Sequence, residues 1–291
     1  MTDPLDQLVS LLDIEQIEVN LFRGFSPVET ITRVFGGQVL GQALVAASRT
    51  VEDRIAHSLH GYFLRPGDPK IPIIYDVDRI RDGKSFTTRR VNGIQHGKAI
   101  FSMIVSYQVD EGGIDHQSTM PDVPLPDDLM SEQELRLKII DKVPEKFKGW
   151  FSRERPIEVR PIDPFDPTDP PVRDAAKKIW FRARHQLPDD PSIHKCVLAY
   201  ASDMALLETC LGPHGLGFLA PNIQMASLDH AMWFHRPFKA DEWMLYCMDS
   251  PSASGARGFN RGEVYSMDGT LIASVTQEGL ARLHPVKDDK K

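Results

Sequence analysis

The stretch GGQVLGQALVAASRT, residues 36–50, places Val39, Leu40, Ala43, Leu44 and Ala47 at helical spacing. That periodicity predicts a helix that is apolar on more than one face and therefore buried nearly all round. A shorter amphipathic helix is predicted over DPLDQLVSLLDI. There Asp3 is the cap, Pro4 takes the first helical position, and Leu5, Leu8, Val9 and Leu12 share a face. Alternating or β-branched runs then predict strands in PIIYDVDRI, FTTRRV and AIFSMIVSYQV, and later in KKIWFRARHQLP, WMLYCM, GFNRGEVYSM and LIASVTQEGLARL. A second helix is predicted over SDMALLETCLG, with Ser202 or Asp203 as its N-cap.

These elements occur twice in the same order. YFLRP (Tyr62 to Pro66) falls on WFHRP (Trp233 to Pro237), and the interval from Gly83 to Gly97 equals that from Gly255 to Gly269. His96-Gly97 and Asp268-Gly269 are expected at matching hairpin turns, where positive φ favours Gly and Asn or Asp. A helix followed by several antiparallel strands, repeated, predicts an α+β protein. Residues 1–111 are expected to form the first module and residues 176–291 the second. The intervening 112–175 is expected to be a linker crossing the surface. Within it SEQELRLKIIDKV looks helical, with Ser131 and Glu134 spaced as a capping box. RPIEVRPIDPFDPTDPP is too rich in proline for a regular element.

Composition narrows the function classes. The net charge of −7 over 291 residues argues against general nucleic-acid binding, though not against a local basic patch for an anionic ligand. Cys196, Cys210 and Cys247 include no CxxC pair, so neither a disulfide framework nor a zinc site is expected. MTDPLDQLVSLLDIE lacks the basic start and apolar run of a signal peptide, and no stretch reaches the ~20 apolar residues of a membrane span. A cytoplasmic protein is expected. GxSxG, P-loop, dinucleotide and HExxH motifs are absent, which removes the usual serine-hydrolase and nucleotide-fold readings.

Candidate chemistry appears where the two copies differ. The second has Asp203 in YASDMALLE, where the first has glycines in RVFGGQVLG. Gln277 lies in an apolar strand where the first copy has Val105, and Ser227 just precedes Asp229 and His230. Polar groups in core-facing positions cost free energy unless they satisfy one another. Convergence of the three would hold a water. Asp203 would act as its base, favoured as the anion by a helix N-terminus, with Ser227 and Gln277 orienting the water. Gly36 and Gly37 would let a carbonyl oxygen approach backbone N–H groups as an oxyanion site. Each residue also has a plain structural role: Asp203 as an N-cap, Ser227 as a turn hydroxyl, Gln277 at a strand edge, and His57, His60, His230 and His235 as structural histidines. Arg65, Arg236, Arg257 and Arg261 lie beside aromatics; clustered at a pocket mouth they would suit a phosphorylated ligand.

VFGGQVLGQAL, YFLRPGDP, YASDMALL, DHAMWFHRPF, ARGFNRGEVY and VTQEG together resemble the type II acyl-CoA thioesterases, over nearly the whole chain. The resemblance implies a double hotdog: two helices, each wrapped by a curved antiparallel sheet, with the sheets joined into one. It implies hydrolysis of fatty acyl-CoA to free acid and coenzyme A, without metal or organic cofactor. It also implies further association into a dimer or tetramer. It places the catalytic residues on Asp203, Ser227 and Gln277. The ending KDDKK is not a peroxisomal address, which fits a bacterial, cytosolic member. Two alternatives stand beside it: a hotdog enoyl-CoA hydratase, which would want an Asp-His pair, and a non-catalytic acyl-CoA binding module.

Overall fold

A computed structural model describes residues 4–27 and 33–285. The N-terminal helix, α1, spans Pro4–Leu12 and buries Leu8 and Leu12 against the core. Its expected cap Asp3 and the side chain of Leu5 lie outside the described residues. After the short strands β1 (Glu15–Glu18) and β2 (Leu21–Gly24) comes α2, Gly36–Ser48, the long helix of the first repeat. As its pattern predicts, α2 is buried from Gly37 to Leu44 and again at Ala46 and Ala47. Its buried Gln42 is satisfied by the Leu11 and Phe25 carbonyls and by the Tyr75 hydroxyl.

Four strands follow: β3 (Ile55–Phe63), β4 (Ile73–Asp82), β5 (Phe86–Gln95) and β6 (Lys98–Gln108). The turn between β5 and β6 carries positive φ at His96 and Gly97. The connecting region contains α3 (Glu132–Lys138), with the expected Ser131–Glu134 capping box formed, and α4 (Glu145–Ser152). It also holds a strand that the proline content hid. β7, Ile157–Pro161, pairs with β8 (Ala176–Ala183) at the rim of the sheet. An edge strand tolerates this composition because one side of its backbone needs no ladder partner. The remaining strands are β9 (Ile223–Ser227), β10 (Asp229–Phe234), β11 (Met244–Ser254), β12 (Arg257–Ser266) and β13 (Leu271–Leu283).

All strands join one antiparallel sheet, in the order β1-β2-β4-β5-β6-β3-β10-β13-β12-β11-β8-β7, with β9 also on β13. The order is mirrored about the β3–β10 pair: β4-β5-β6-β3 answers β11-β12-β13-β10. Across that join Ala231 stands opposite His60 and Trp233 opposite Ser58. This is the double hotdog, and the two matched strands noted in the sequence are the seam that makes the sheet continuous.

The second helix requires a correction. It is α5, Pro191–Ser202, capped by Asp190, whose carboxylate accepts from the Ser192 N–H at 2.8 Å. Asp203 is its C-cap, not its N-cap, and the chain beyond continues as a 3-10 helix over Leu207–His214. The periodicity of α5 is masked by His194 and Lys195, which are buried yet polar. Each finds a partner: His194 Nδ1 accepts from the Ala240 N–H at 3.0 Å, and Lys195 Nζ donates to the Ala56 carbonyl at 2.8 Å. No helix among the described residues is long and apolar enough to cross a membrane.

Candidate active site

The helices α2 and α5 run antiparallel, so the N-terminus of α2 meets the C-terminal end of α5. Glycine makes the approach possible. A Cβ on Gly37 would stand 2.3 Å from the Tyr200 carbonyl oxygen, and one on Gly36 would stand 2.7 Å from Asp203 Oδ2. Asp203 therefore sits at a helix N-terminus after all, but that of the other repeat. Its own helix end presents carbonyl oxygens that disfavour an anion, whereas the N–H groups and dipole of α2 favour one. The Gly37 N–H donates to the Asp203 carboxylate. The donor expected to receive a developing oxyanion is thus engaged with the carboxylate.

Ser227 and Gln277 reach the same carboxylate from the sheet. Ser227 Oγ donates to Asp203 Oδ1 at 3.1 Å and Gln277 Nε2 donates to that oxygen at 2.5 Å. A slip in strand pairing directs Ser227 inward. Ala231 pairs with Thr276, but Ser227 pairs with Gly279, one residue out of step. Asp229 stabilises the slip by accepting the Glu278 N–H at 2.7 Å. A pairing irregularity of this kind re-aims a side chain without ending the sheet. Residues far apart in sequence are thus brought together on one carboxylate oxygen.

The three side chains differ in access. Asp203 and Ser227 are half-buried, while Gln277 is fully buried. Gln277 was expected to hold a water directly; instead its two amide hydrogens serve Asp203 and His230, the latter at 3.1 Å. Burial pushes the Asp203 carboxyl up to about 6, opposed by the hydrogen bonds from Gln277, Ser227 and Gly37 and by the charge of Arg33. The carboxylate is therefore more basic than an exposed one and still mostly ionised at neutral pH.

Asp203 opens onto a cavity of about 670 Å³. Ile179 and Phe181 on β8 and Ile157 and Val159 on β7 form an apolar wall, and Phe151 of α4 and Ile139 close it. Arg33, Arg136, Arg155 and Arg173 line its charged parts. None of the four arginines singled out in the sequence lines it. Arg65 bonds the Ala99 carbonyl, Arg236 pairs with Asp115, Arg257 with Glu278 and Arg261 with Asp249. Arg136, Arg155 and Arg173 belong to the connecting region, whose composition gives no cue to chemistry, and Arg33 lies just before α2.

The histidines are placed as structural groups. His57 bonds the Ser106 hydroxyl, His235 bonds the Ser274 hydroxyl, and His60 packs edge-on against Trp233. His194 bonds near the other end of α5. Cys196, Cys210 and Cys247 are free thiols, and burial pushes all three upward in pKa. Among the described residues no group of three or more His, Cys, Asp or Glu is disposed to hold a metal ion.

A family model described as acyl-CoA thioesterase matches residues 149–280, and one for the acyl-CoA thioesterase N-terminal domain matches residues 26–108. Acyl-CoA thioesterase 2 of Haemophilus influenzae is 44% identical over 97% of this chain and 99% of its own length. Human acyl-coenzyme A thioesterase 8 is 41% identical, covering 98% of this chain and 91% of the relative. The crystal structure of an acyl-CoA thioesterase II from Mycobacterium marinum superposes with a TM-score of 0.78 at 45% identity, covering 94% of this chain and 98% of that one. The fold and these relatives together define a thioesterase of the hotdog class. The chain belongs to the acyl-CoA thioesterase family and is an acyl-CoA thioester hydrolase.

Proposed function

We propose that this enzyme hydrolyses fatty acyl-CoA by direct attack of a water that Asp203 deprotonates. The observation that supports it most is the Asp203 carboxylate itself. It has a raised pKa, three hydrogen-bond donors, and an opening onto an apolar cavity. Water held against Asp203 and the Ser227 oxygen attacks the thioester carbonyl carbon and gives its proton to the carboxylate. The tetrahedral intermediate then expels the coenzyme A thiolate, which recovers that proton. The positive end of α2 is the nearest concentration of fixed partial charge for the developing oxyanion. Gln277 acts by fixing the carboxylate, since its amide is buried and engaged.

The acyl chain lies along Ile157, Val159, Ile179 and Phe181, and the cavity arginines offer charge for the nucleotide end of coenzyme A. Arg65, Arg236, Arg257 and Arg261 are left to ion pairs and carbonyl bonds. The mirrored strand order supports modules at 1–111 and 176–291 joined by 112–175, with the catalytic carboxylate in the second. A cytoplasmic homo-oligomer belongs to the same reading, consistent with three free thiols and with exposed Tyr62 and Ile104 on the outer sheet face.

An enoyl-CoA hydratase would need a histidine against the aspartate, and Gln277 stands between Asp203 and His230. Release of free thiol from a series of acyl-CoA esters tests the proposal. Steady release that vanishes in Asp203→Asn supports it. Binding without release points to a carrier module and overturns it.

A further inference from the structure

We propose that His230, itself held by Ser202, is a positioning residue that sets the Gln277 amide and, through it, the Asp203 carboxylate; this rests on the hydrolase reading above. The hydrogen-bond directions leave one arrangement. The Gln277 amide nitrogen has two hydrogens and no lone pair to offer. One goes to Asp203 Oδ1 and the other to His230 Nδ1. His230 Nδ1 must therefore be unprotonated, and the ring hydrogen lies on Nε2. That hydrogen meets Ser202 Oγ at 2.9 Å, and the Ser202 hydroxyl donates onward to the Ala199 carbonyl at 2.9 Å. Ser202, His230 and Gln277 are all fully buried. Burial also drives the His230 pKa down to about 3, so the ring stays neutral across the working range.

The amide needs such an anchor. Gln277 Oε1 is buried with no hydrogen-bond partner among the described residues, so nothing on that side fixes the amide's sense. A flipped amide would turn Oε1 towards both the carboxylate and the His230 lone pair. Of the two bonds that oppose the flip, only the one to His230 is independent of the group being positioned.

The repeat supplies a second, independent observation. The interval that carries Tyr62 onto Trp233 carries Leu59 onto His230. Leu59 stands opposite Val105 in the first repeat, and Val105 corresponds to Gln277. One cross-strand pair that is apolar in the first module has thus become polar at both members in the second. A histidine present only for packing would not need to change together with its neighbour.

The test is a mutant cycle, with kcat, KM and melting temperature measured on one long-chain acyl-CoA. His230→Leu installs the first repeat's residue. It is expected to lower kcat about tenfold to a hundredfold with KM nearly unchanged. His230→Asn keeps an acceptor near the Nδ1 position and is expected to recover kcat to within about threefold of wild type. In a Gln277→Ala background His230→Leu should cost nothing further, because the residue through which it acts is gone. Additive losses in the double variant, or a His230→Leu enzyme with normal kcat beside an impaired Gln277→Ala, overturn the proposal. A Gln277→Ala enzyme with normal kcat instead overturns the site reading itself. If His230→Leu does not fold, Ser202→Ala runs the same cycle, and additive losses there overturn the proposal equally.

Discussion

Replacing Asp203 by Asn should make the protein more stable and inactive at once. The carboxyl is raised from 3.8 to about 6 by burial. Each pH unit of displacement corresponds to about 1.4 kcal/mol, so at pH 8 the ionised group destabilises the fold by about 3 kcal/mol. The sign follows from proton affinity. The folded protein holds this proton to higher pH than the unfolded chain does. The penalty is therefore absent below the unfolded value, grows as pH rises from 3.8 towards 6, and is complete above it. Asn removes the charge and keeps an oxygen for Ser227 and Gln277, but its NH2 group would face the Gly37 N–H. About 1–2 kcal/mol of gain should survive at pH 8, seen as roughly 2–8 °C in Tm. Loss of the base should lower kcat by at least a hundredfold, within the ~10²–10⁴ typical of general-base catalysis. Thermal unfolding at pH 8 and pH 5 and thiol release at pH 8 make the assay. The stability gain should shrink at pH 5. A variant with near-normal turnover, or one whose stability relative to wild type is the same at both pH values, would refute the reasoning.

Gly36→Ala should fold yet lose about tenfold or more in kcat, because the new Cβ would stand 2.7 Å from Asp203 Oδ2 and displace the carboxylate. Ser227→Ala should lower kcat about tenfold while Ser227→Thr keeps most of it, since only the hydroxyl is used; steady-state kinetics separates the two. Val159→Trp should fill the apolar wall and reduce hydrolysis of long-chain esters more than short ones, read as a change in the kcat/KM profile across chain length.

The repeat, the strands and the seam between the modules were legible because they rest on local periodicity and on two long motifs. The three polar residues of the site stood out for a related reason. They break a pattern the chain states elsewhere, and burying such breaks is unfavourable unless they meet. The helix carrying Asp203 was misplaced because two signals competed. Ser202-Asp203 has the composition of an N-cap, while Asp190-Pro191, a better cap with proline at the first helical position, precedes a run interrupted by His194 and Lys195. Their partners, Ala240 and Ala56, are remote in sequence, so nothing local shows that these polar side chains can be buried.

The same distance limit hid the supporting shell. Comparing Leu59 with His230 would have marked it, as comparing Val105 with Gln277 marked the amide. The cavity arginines had no such signal. Arg136, Arg155 and Arg173 come from the connecting region, which has no counterpart in either module, and Arg33 precedes α2. The arginines that sequence singled out lie beside aromatics but are taken up by Ala99, Asp115, Glu278 and Asp249.

The proposed hydrolysis depends on Asp203 acting as the base for water. The most direct measurement is the single-turnover rate of thioester hydrolysis by the wild-type enzyme as a function of pH. The rate should be level above neutrality and fall tenfold per pH unit on the acid side, half-maximal near the Asp203 value of about 6. A rate that stays level well below that value, or one governed by a group titrating on the alkaline side, would contradict it.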